Sequence, residues 1–293
     1  MAVPPTLTLN NSVAVPQLGL GLYRVEPDQA GKVVSAAFDA GYRSLDTAAM
    51  YGNEAAVGEA VRESGLPRSE VFVTTKLWNT EHGYDNALRA FDRSAAALDL
   101  GVVDLYLIHW PMPELDRYVE TWRALERLLS DGRVRAIGVS NFGIGHQRRL
   151  LDAADVVPAV NQVELHPYFT QPAVQKADAD HGILTQAWSP IGGITFYRGS
   201  GKSTLQDPAI LAIAGAHGRT AAQVMLRWHL QRGRSAIPKS VTPARIAENF
   251  DVLNFDLTTG ELAQLDALDT GVRGGPDPAS ITLANYGRPI PEA

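Results

Sequence analysis

The chain has 293 residues, a formal net charge of −6 and no cysteine, which excludes disulfides, thiolate-bound metals and a cysteine nucleophile. An acidic chain without basic runs also lacks the electrostatic footprint of a nucleic-acid binder. Hydrophobic residues make up 45%, yet no stretch reaches the roughly 18 consecutive apolar residues of a membrane span, and "MAVPPTLTLN" carries no leader pattern, so a cytoplasmic protein with no membrane partner is expected.

"LTLNNSVAVP" (7–16) predicts two short strands turning at Asn10-Asn11. "LGLGLY" (18–23) is a short apolar strand, and 28–41 a helix stopped by Gly41. "RSLDTA" (43–48) is a strand, followed by a helix over 53–65. Further strands fall at 70–78, 102–110, 134–142, 159–166, 183–190 and 235–240. Helices follow at 83–99, 115–131, 143–154, 172–181, 207–217, 219–232, 243–251 and 258–269. Strands apolar along most of their length suit a parallel sheet covered on both faces. Eight strand-then-helix units match an α/β fold of the (β/α)8 TIM-barrel kind, with the N-terminal β-hairpin plugging its bottom. No linker or composition shift interrupts 1–293, which reads as one domain.

Chemistry in such a barrel sits at the C-terminal ends of the strands. There the sequence places Tyr23, Asp46, Tyr51, Lys76, Trp78, His109, Trp110, Ser140, Asn141, Gln162, Trp188, Ser189, Lys239 and Ser240. Asp46, Tyr51, Lys76 and His109 come from three neighbouring units. Only five lysines occur among 26 basic residues, so Lys76 reads as a site needing a compact ammonium. An ammonium beside a phenol is expected to lower the phenol's pKa from about 10. Asp46 can keep Lys76 charged, and His109 can orient a carbonyl oxygen. The product is a general acid for an oxygen that develops negative charge. Singly, each residue has a plainer explanation as a turn, cap or packing residue; the assembly does not. A metal-dependent hydrolase using Asp46, His109, Glu164 and His166 is the competing chemistry, because alternation puts the last two on one strand face.

Two Lys-Ser pairs invite a phosphate. "GSGKST" (199–204) fails as a P-loop because the first glycine position is Phe196. Gly19-x-Gly21 likewise lacks the third glycine of a dinucleotide fingerprint, since position 24 is Arg. "IPKSVTPARIAEN" (237–249) is different: a strand end, then Thr242 and Pro243 opening a helix, with Lys239 and Arg245 as cations and Ser240 and Thr242 as hydroxyls.

Three long segments, "GYRSLDTAAMYGNEAAVG" (41–58), "VRAIGVSNF" (134–142) and "IPKSVTPARIAEN", with "TTKLW", "LIHWP", "NQVELHPY" and "WSP" between them in order, resemble the aldo-keto reductases. Within that family the resemblance is to bacterial members of the 2,5-diketo-gluconate reductase type. It implies NADPH-dependent reduction of an aldehyde or ketone, with a small-molecule carbonyl substrate; no metal and a monomeric state are expected besides. It makes Tyr51 the proton donor beside Asp46, Lys76 and His109. It implies that Lys239, Ser240, Val241, Thr242 and Arg245 hold the adenosine 2′-phosphate, with Glu248 and Asn249 at the adenine. Ser140, Asn141 and Gln162 then meet the nicotinamide carboxamide, Trp188 stacks on its ring, and Ser189, Pro190, Ile191 and Gly192 follow the pyrophosphate. Tyr23, Trp78, His109 and Trp110 wall the substrate pocket. A short tail after Arg273 suggests an open pocket, which the "TFYRGS" insert (195–200) narrows. A cofactor-binding sensor without useful turnover is the alternative; the filled catalytic positions favour the enzyme.

Overall fold

The structure, a computed structural model, describes residues 5–192 and 203–290. "TFYRGS" and most of "GSGKST", Lys202 included, lie outside the described residues. Strands β1 (Thr6–Thr8) and β2 (Ala14–Pro16) form the expected antiparallel hairpin, Leu7 opposite Val15. Leu9 and Val15 pack with Phe72, Leu105, Leu107, Ala136, Ala159 and Val160. Asn10 and Asn11 donate to the carbonyls of Pro158 and Arg135, which sit at strand entrances. The hairpin therefore closes the N-terminal end.

The sheet consists of β3 (Leu20–Gly21), β4 (Ser44–Asp46), β5 (Phe72–Leu77), β6 (Val103–Ile108), β7 (Val134–Ser140), β8 (Val160–Glu164), β9 (Leu184–Trp188) and β10 (Ser235–Ala236). Each pairs in parallel with its sequence neighbours. A parallel bridge between Leu18 and Ala236 closes the ring, with Gly19 N–H on Ala236 O at 3.0 Å and Gly21 N–H on Pro238 O at 3.0 Å. A Cβ on Gly21 would meet Ile237 O at 3.0 Å, and one on Gly19 would meet Ser44 Oγ at 2.9 Å. Gly21 thus gives clearance at the closing seam, and Gly19 gives it chiefly towards Ser44 of β4. The strand expected over 235–240 is assigned only at Ser235–Ala236, because Pro238 has no N–H to give a ladder.

Around the ring run α1 (Pro27–Ala40), α2 (Glu54–Glu63), α3 (Tyr84–Leu98), α4 (Tyr118–Ser130), α5 (Ile144–Leu151), α6 (Pro172–Asp180), α7 (Pro208–His217), α8 (Ala221–Gln231), α9 (Pro243–Phe250) and α10 (Thr259–Asp266). In α1, residues Ala30, Val33, Val34, Ala37 and Phe38 form one buried stripe at helical spacing. Burying a Val or Phe side chain stabilises by roughly 1.5–3 kcal/mol. Gly41, at φ 111°, ends the helix by donating to Ala37 O and Phe38 O, a backbone conformation that favours glycine. Sequence patterning did not signal the short helix α11 (Leu283–Tyr286).

Candidate active site

Asp46 ends β4, Lys76 lies in β5, and His109 follows β6. Tyr51 closes a 3-10 turn, Ala49–Tyr51, just after β4. The four residues meet at the C-terminal rim. Lys76 is fully buried, and its three ammonium hydrogens have three acceptors: Asp46 Oδ1 at 2.5 Å, Thr47 O at 2.9 Å and Tyr51 OH at 3.4 Å. The second Asp46 oxygen accepts from Gln162 Nε2 at 2.7 Å. Gln162 also donates to Gln186 Oε1 at 2.7 Å, and Gln186 donates to Ser235 Oγ at 3.0 Å. A buried ion pair is tolerable only when its remaining donors and acceptors are satisfied in this way. Thr47 and Gln186 escape sequence reasoning because their contribution depends on strand register.

Burial, then the Asp46 carboxylate, then Tyr23 push the Tyr51 pKa well above 10. This reverses the expectation that Lys76 lowers it. The ammonium is matched by Asp46 at 2.5 Å, so the phenol faces a nearly neutral pair in a dry setting and keeps its proton. A proton held until negative charge grows on a neighbouring oxygen is what a donor requires. Burial pulls Lys76 down, while Asp46 and Glu54 act against that. Burial and the charge of Lys76 hold His109 well below 6.5, so its imidazole is neutral. His109 Nδ1 is buried without a protein partner, and its ring stands edge-on to Tyr51 (5.8 Å) and Trp78 (5.2 Å).

The residues expected to meet a cofactor lie across the rim. Ser140 Oγ donates to Gln162 O at 2.8 Å. Asn141, at φ 65°, donates to His109 O and Ser140 Oγ, and its Oδ1 accepts from Trp188 Nε1 at 2.9 Å. Trp188 thus braces Asn141 as well as presenting a ring. The segment Ser189–Gly192 is fastened from behind: His229 Nε2 meets Pro190 O and Thr204 Oγ1 donates to Ile191 O. Ser189 Oγ is buried without a partner. At α9, Pro243 occupies the first turn, but Thr242 makes no side-chain cap; Ser240 Oγ accepts from Thr242 N–H at 3.2 Å instead. Arg245 is exposed and makes no hydrogen bond or ion pair among the described residues. Burial and the nearby Arg24 charge lower the Lys239 pKa. Val241 is 41% exposed and Asn249 is buried. Glu248 accepts from Thr220 Oγ1. Two cations and the Thr242 hydroxyl, uncommitted among the described residues at a helix N-terminus, with the buried Ser189 hydroxyl along the adjoining loop, fit a phosphorylated dinucleotide.

The pocket walls are aromatic. Tyr23 packs against Tyr51 at 5.1 Å, and Trp78, Trp110 and Met112 cluster with Ile281. The tail overturns the expectation of an open pocket. Trp78 Nε1 donates to Arg288 O at 2.7 Å, Asn79 Nδ2 to Tyr286 O at 2.9 Å, and Tyr286 lies 5.9 Å from Trp110. Glu164 anchors this tail, accepting from Gly274 N–H and Gly275 N–H at 2.9 Å each. Its Oε1 also lies 3.0 Å from His166 Nε2. Glu164 and His166 are therefore committed to the tail and to each other. No group of three His, Cys, Asp or Glu among the described residues could hold a metal, which removes the structural support for the hydrolase alternative.

The wall behind Trp110 is sensitive to acid. His82 is buried, with Nε2 at 3.1 Å from Trp110 O. Burial pulls its pKa down to about 4. Below about 6.5 the unfolded chain takes up a proton that the folded one refuses, so stability present above 6.5 is lost as pH falls towards 4. The difference corresponds to roughly 3 kcal/mol at most. Thermal melts of wild type and His82→Gln should converge on acidification across that window; a gap independent of pH would assign the acid sensitivity elsewhere.

Residues 17–270 match the aldo/keto reductase family. The chain belongs to the aldo/keto reductase family. It is 51% identical to morphine 6-dehydrogenase of Pseudomonas putida, over 96% of this chain and 97% of that one. It is 43% identical to methylglyoxal reductase DkgA of Escherichia coli strain K12, over 95% and 98%. A solved structure of a substituted form of Gox0644 in complex with NADPH superposes with a TM-score of 0.89 at 45% identity, covering 96% of this chain and all of the other. As an aldo/keto reductase, the chain has the (β/α)8 frame that its strand spacing predicts. Among the described residues no helix is long and apolar enough to cross a membrane.

Proposed function

We propose that this protein is an NADPH-dependent reductase of small aldehydes or ketones, with Tyr51 as proton donor. The observation that carries the reading is the Tyr51–Lys76–Asp46 chain at the mouth of the barrel, sealed on its inner side by Gln162. When bound, NADPH supplies a hydride to the carbonyl carbon. Ser140, Asn141 and Gln162 would hold its carboxamide, Trp188 its ring, and Ser189, Pro190, Ile191 and Gly192 its pyrophosphate. Lys239, Ser240, Val241, Thr242 and Arg245 would take the 2′-phosphate, with Glu248 and Asn249 beside the adenine. His109, neutral, directs the substrate oxygen towards the Tyr51 hydroxyl. Tyr51 gives its proton to that oxygen, while Lys76 strengthens its hydrogen bond to the phenolate left behind. Tyr23, Trp78, Trp110 and the tail exclude water and favour an apolar body on the substrate.

A monomeric, cytoplasmic, single-domain enzyme without a membrane partner is our reading, and the acidic balance gives no electrostatic footprint for nucleic acid. Relatives that act on morphine-type alcohols and on methylglyoxal bracket the substrate sizes to screen. Steady NADPH consumption with α-dicarbonyls, keto-sugars or aromatic aldehydes is expected. Tight NADPH binding with no turnover across such a panel would favour a sensor.

Cofactor choice tests the phosphate site. Among the described residues Arg245 has no protein partner to lose, so Arg245→Ala is expected to act on the ligand contact. A hydrogen bond to a charged group contributes roughly 1.5–3 kcal/mol, so NADPH binding should weaken about tenfold or more. NADH, lacking the 2′-phosphate, should bind as before. Equal losses for both cofactors in a fluorescence titration would show that Arg245 only supports the fold.

A further inference from the structure

Behind the cofactor side of the barrel lies a carboxylate that the proposed reaction does not use. Asp178, in α6, is completely buried. Its Oδ1 accepts from Gln147 Nε2 of α5 at 2.8 Å and from Asn161 Nδ2 of β8 at 3.0 Å. Its Oδ2 accepts from Thr185 Oγ1 of β9 at 2.6 Å. No Lys, Arg or His pairs with it among the described residues. Burial lifts its pKa to about 6 against the pull of these three bonds. A charge kept in such a place with neutral partners alone is expensive, and an apolar residue would pack there at less cost.

Two of the three donors have a second acceptor in common. Gln147 Nε2 reaches Phe142 O at 3.2 Å and Asn161 Nδ2 reaches it at 3.0 Å. Asn161 Oδ1 also faces Phe142 N–H at 3.4 Å. The carboxylate fixes which way these amides point. With acceptors at Asp178 and Phe142 on one side, Gln147 must turn its NH2 there, although this leaves its own Oε1 buried and unpartnered. The peptide of Phe142 is thereby held from both ends. The residue before it, Asn141, has φ 65°, a left-handed conformation that asparagine accepts more readily than other non-glycine residues and that a fixed neighbouring peptide helps to hold.

We propose that Asp178 is a positioning residue for the cofactor: through Gln147, Asn161 and the Phe142 peptide it locks Asn141 in the orientation that receives the nicotinamide carboxamide. This rests on the reading of Asn141 given above. The lock acts on one end of the ligand. NADPH carries the carboxamide, whereas adenosine 2′,5′-bisphosphate carries the adenosine 2′-phosphate but no nicotinamide, so it serves as the control.

Calorimetric titration of wild type, Asp178→Ala, Asn141→Ala and the double variant with both ligands tests the idea. Asp178→Ala and Asn141→Ala should each weaken NADPH binding about tenfold and change bisphosphate binding less than about twofold. The double variant should bind NADPH about as the Asn141 variant does, since coupled residues are not additive. Should Asp178→Ala not fold, Gln147→Leu removes one strut, leaves the carboxylate two donors, and is expected to show the same ligand contrast. Unchanged NADPH affinity in the Asp178 variant, additive losses, or parallel losses for both ligands would overturn the positioning role while leaving Asn141 in place. Unchanged NADPH affinity in Asn141→Ala would instead remove the carboxamide reading itself, and the proposal with it.

Discussion

Replacing Tyr51 by Phe should lower kcat by about 10²–10⁴, the usual contribution of a positioned general acid, while NADPH binds almost as before. Among the described residues Tyr51 is the phenol that Lys76 touches, at 3.4 Å, and the ring itself packs against Tyr23 and His109. Phe keeps those ring contacts and loses only the hydroxyl. Lys76 retains Asp46 and Thr47 as acceptors, so the variant should fold. Single-turnover rates at saturating NADPH, with a titration of cofactor affinity, separate chemistry from binding. Turnover near wild type would mean that another group delivers the proton, with His109 the next to examine.

Asp46→Asn should damage stability and activity together. The substitution leaves the Lys76 ammonium buried with no anion beside it. Breaking one side of a buried pair typically costs about 3–5 kcal/mol, a large share of a domain's whole stability of about 5–15 kcal/mol. Lys76→Met should do the same from the other side. Combining Lys76→Met with Asp46→Leu removes both charges and should recover most of the stability without any of the activity. Denaturant melts of the four proteins make the comparison. If the single variants melt like wild type, the pair is dispensable to the fold, and burial at this site is less complete than the geometry implies.

Much of this architecture was legible in the sequence, for a local reason. Strand ends carrying Asp46, Lys76 and His109 recur at fixed spacing, and a barrel turns that spacing into a shared rim. Gly41 could be read as a helix stop because left-handed backbone demands it. The long-range terms were not legible. The sequence pairs Asp46 with Lys76 but shows neither the burial of the Tyr51 phenol nor how closely Asp46 approaches, and these reverse the expected direction of its pKa. The tail looked short because its length says nothing of the Glu164 anchor that folds it over Trp78 and Trp110. Gly19 and Gly21 looked like half of a nucleotide motif. Only the packing of β3 between Ser44 and the segment after Ala236 reveals them as clearance for close neighbours. Asp178 is one acidic letter in a helix until three strangers in sequence converge on it.

That seam also dictates how the protein is made. Leu18 leaves the ribosome long before its bridging partner Ala236, so the nascent chain carries a ring with two open edges until Ala236 emerges. Unpaired strand edges recruit other strands, and long-range pairing forms slowly. Asp46, Tyr51, Lys76 and His109 are all translated while the ring is open, and the helix bearing Arg245 follows Ala236 directly. Closure and completion of the phosphate site therefore fall within the same few seconds of elongation, at roughly 5–20 residues per second. A chain stalled before Ala236 holds the four proposed catalytic groups on an unclosed ring.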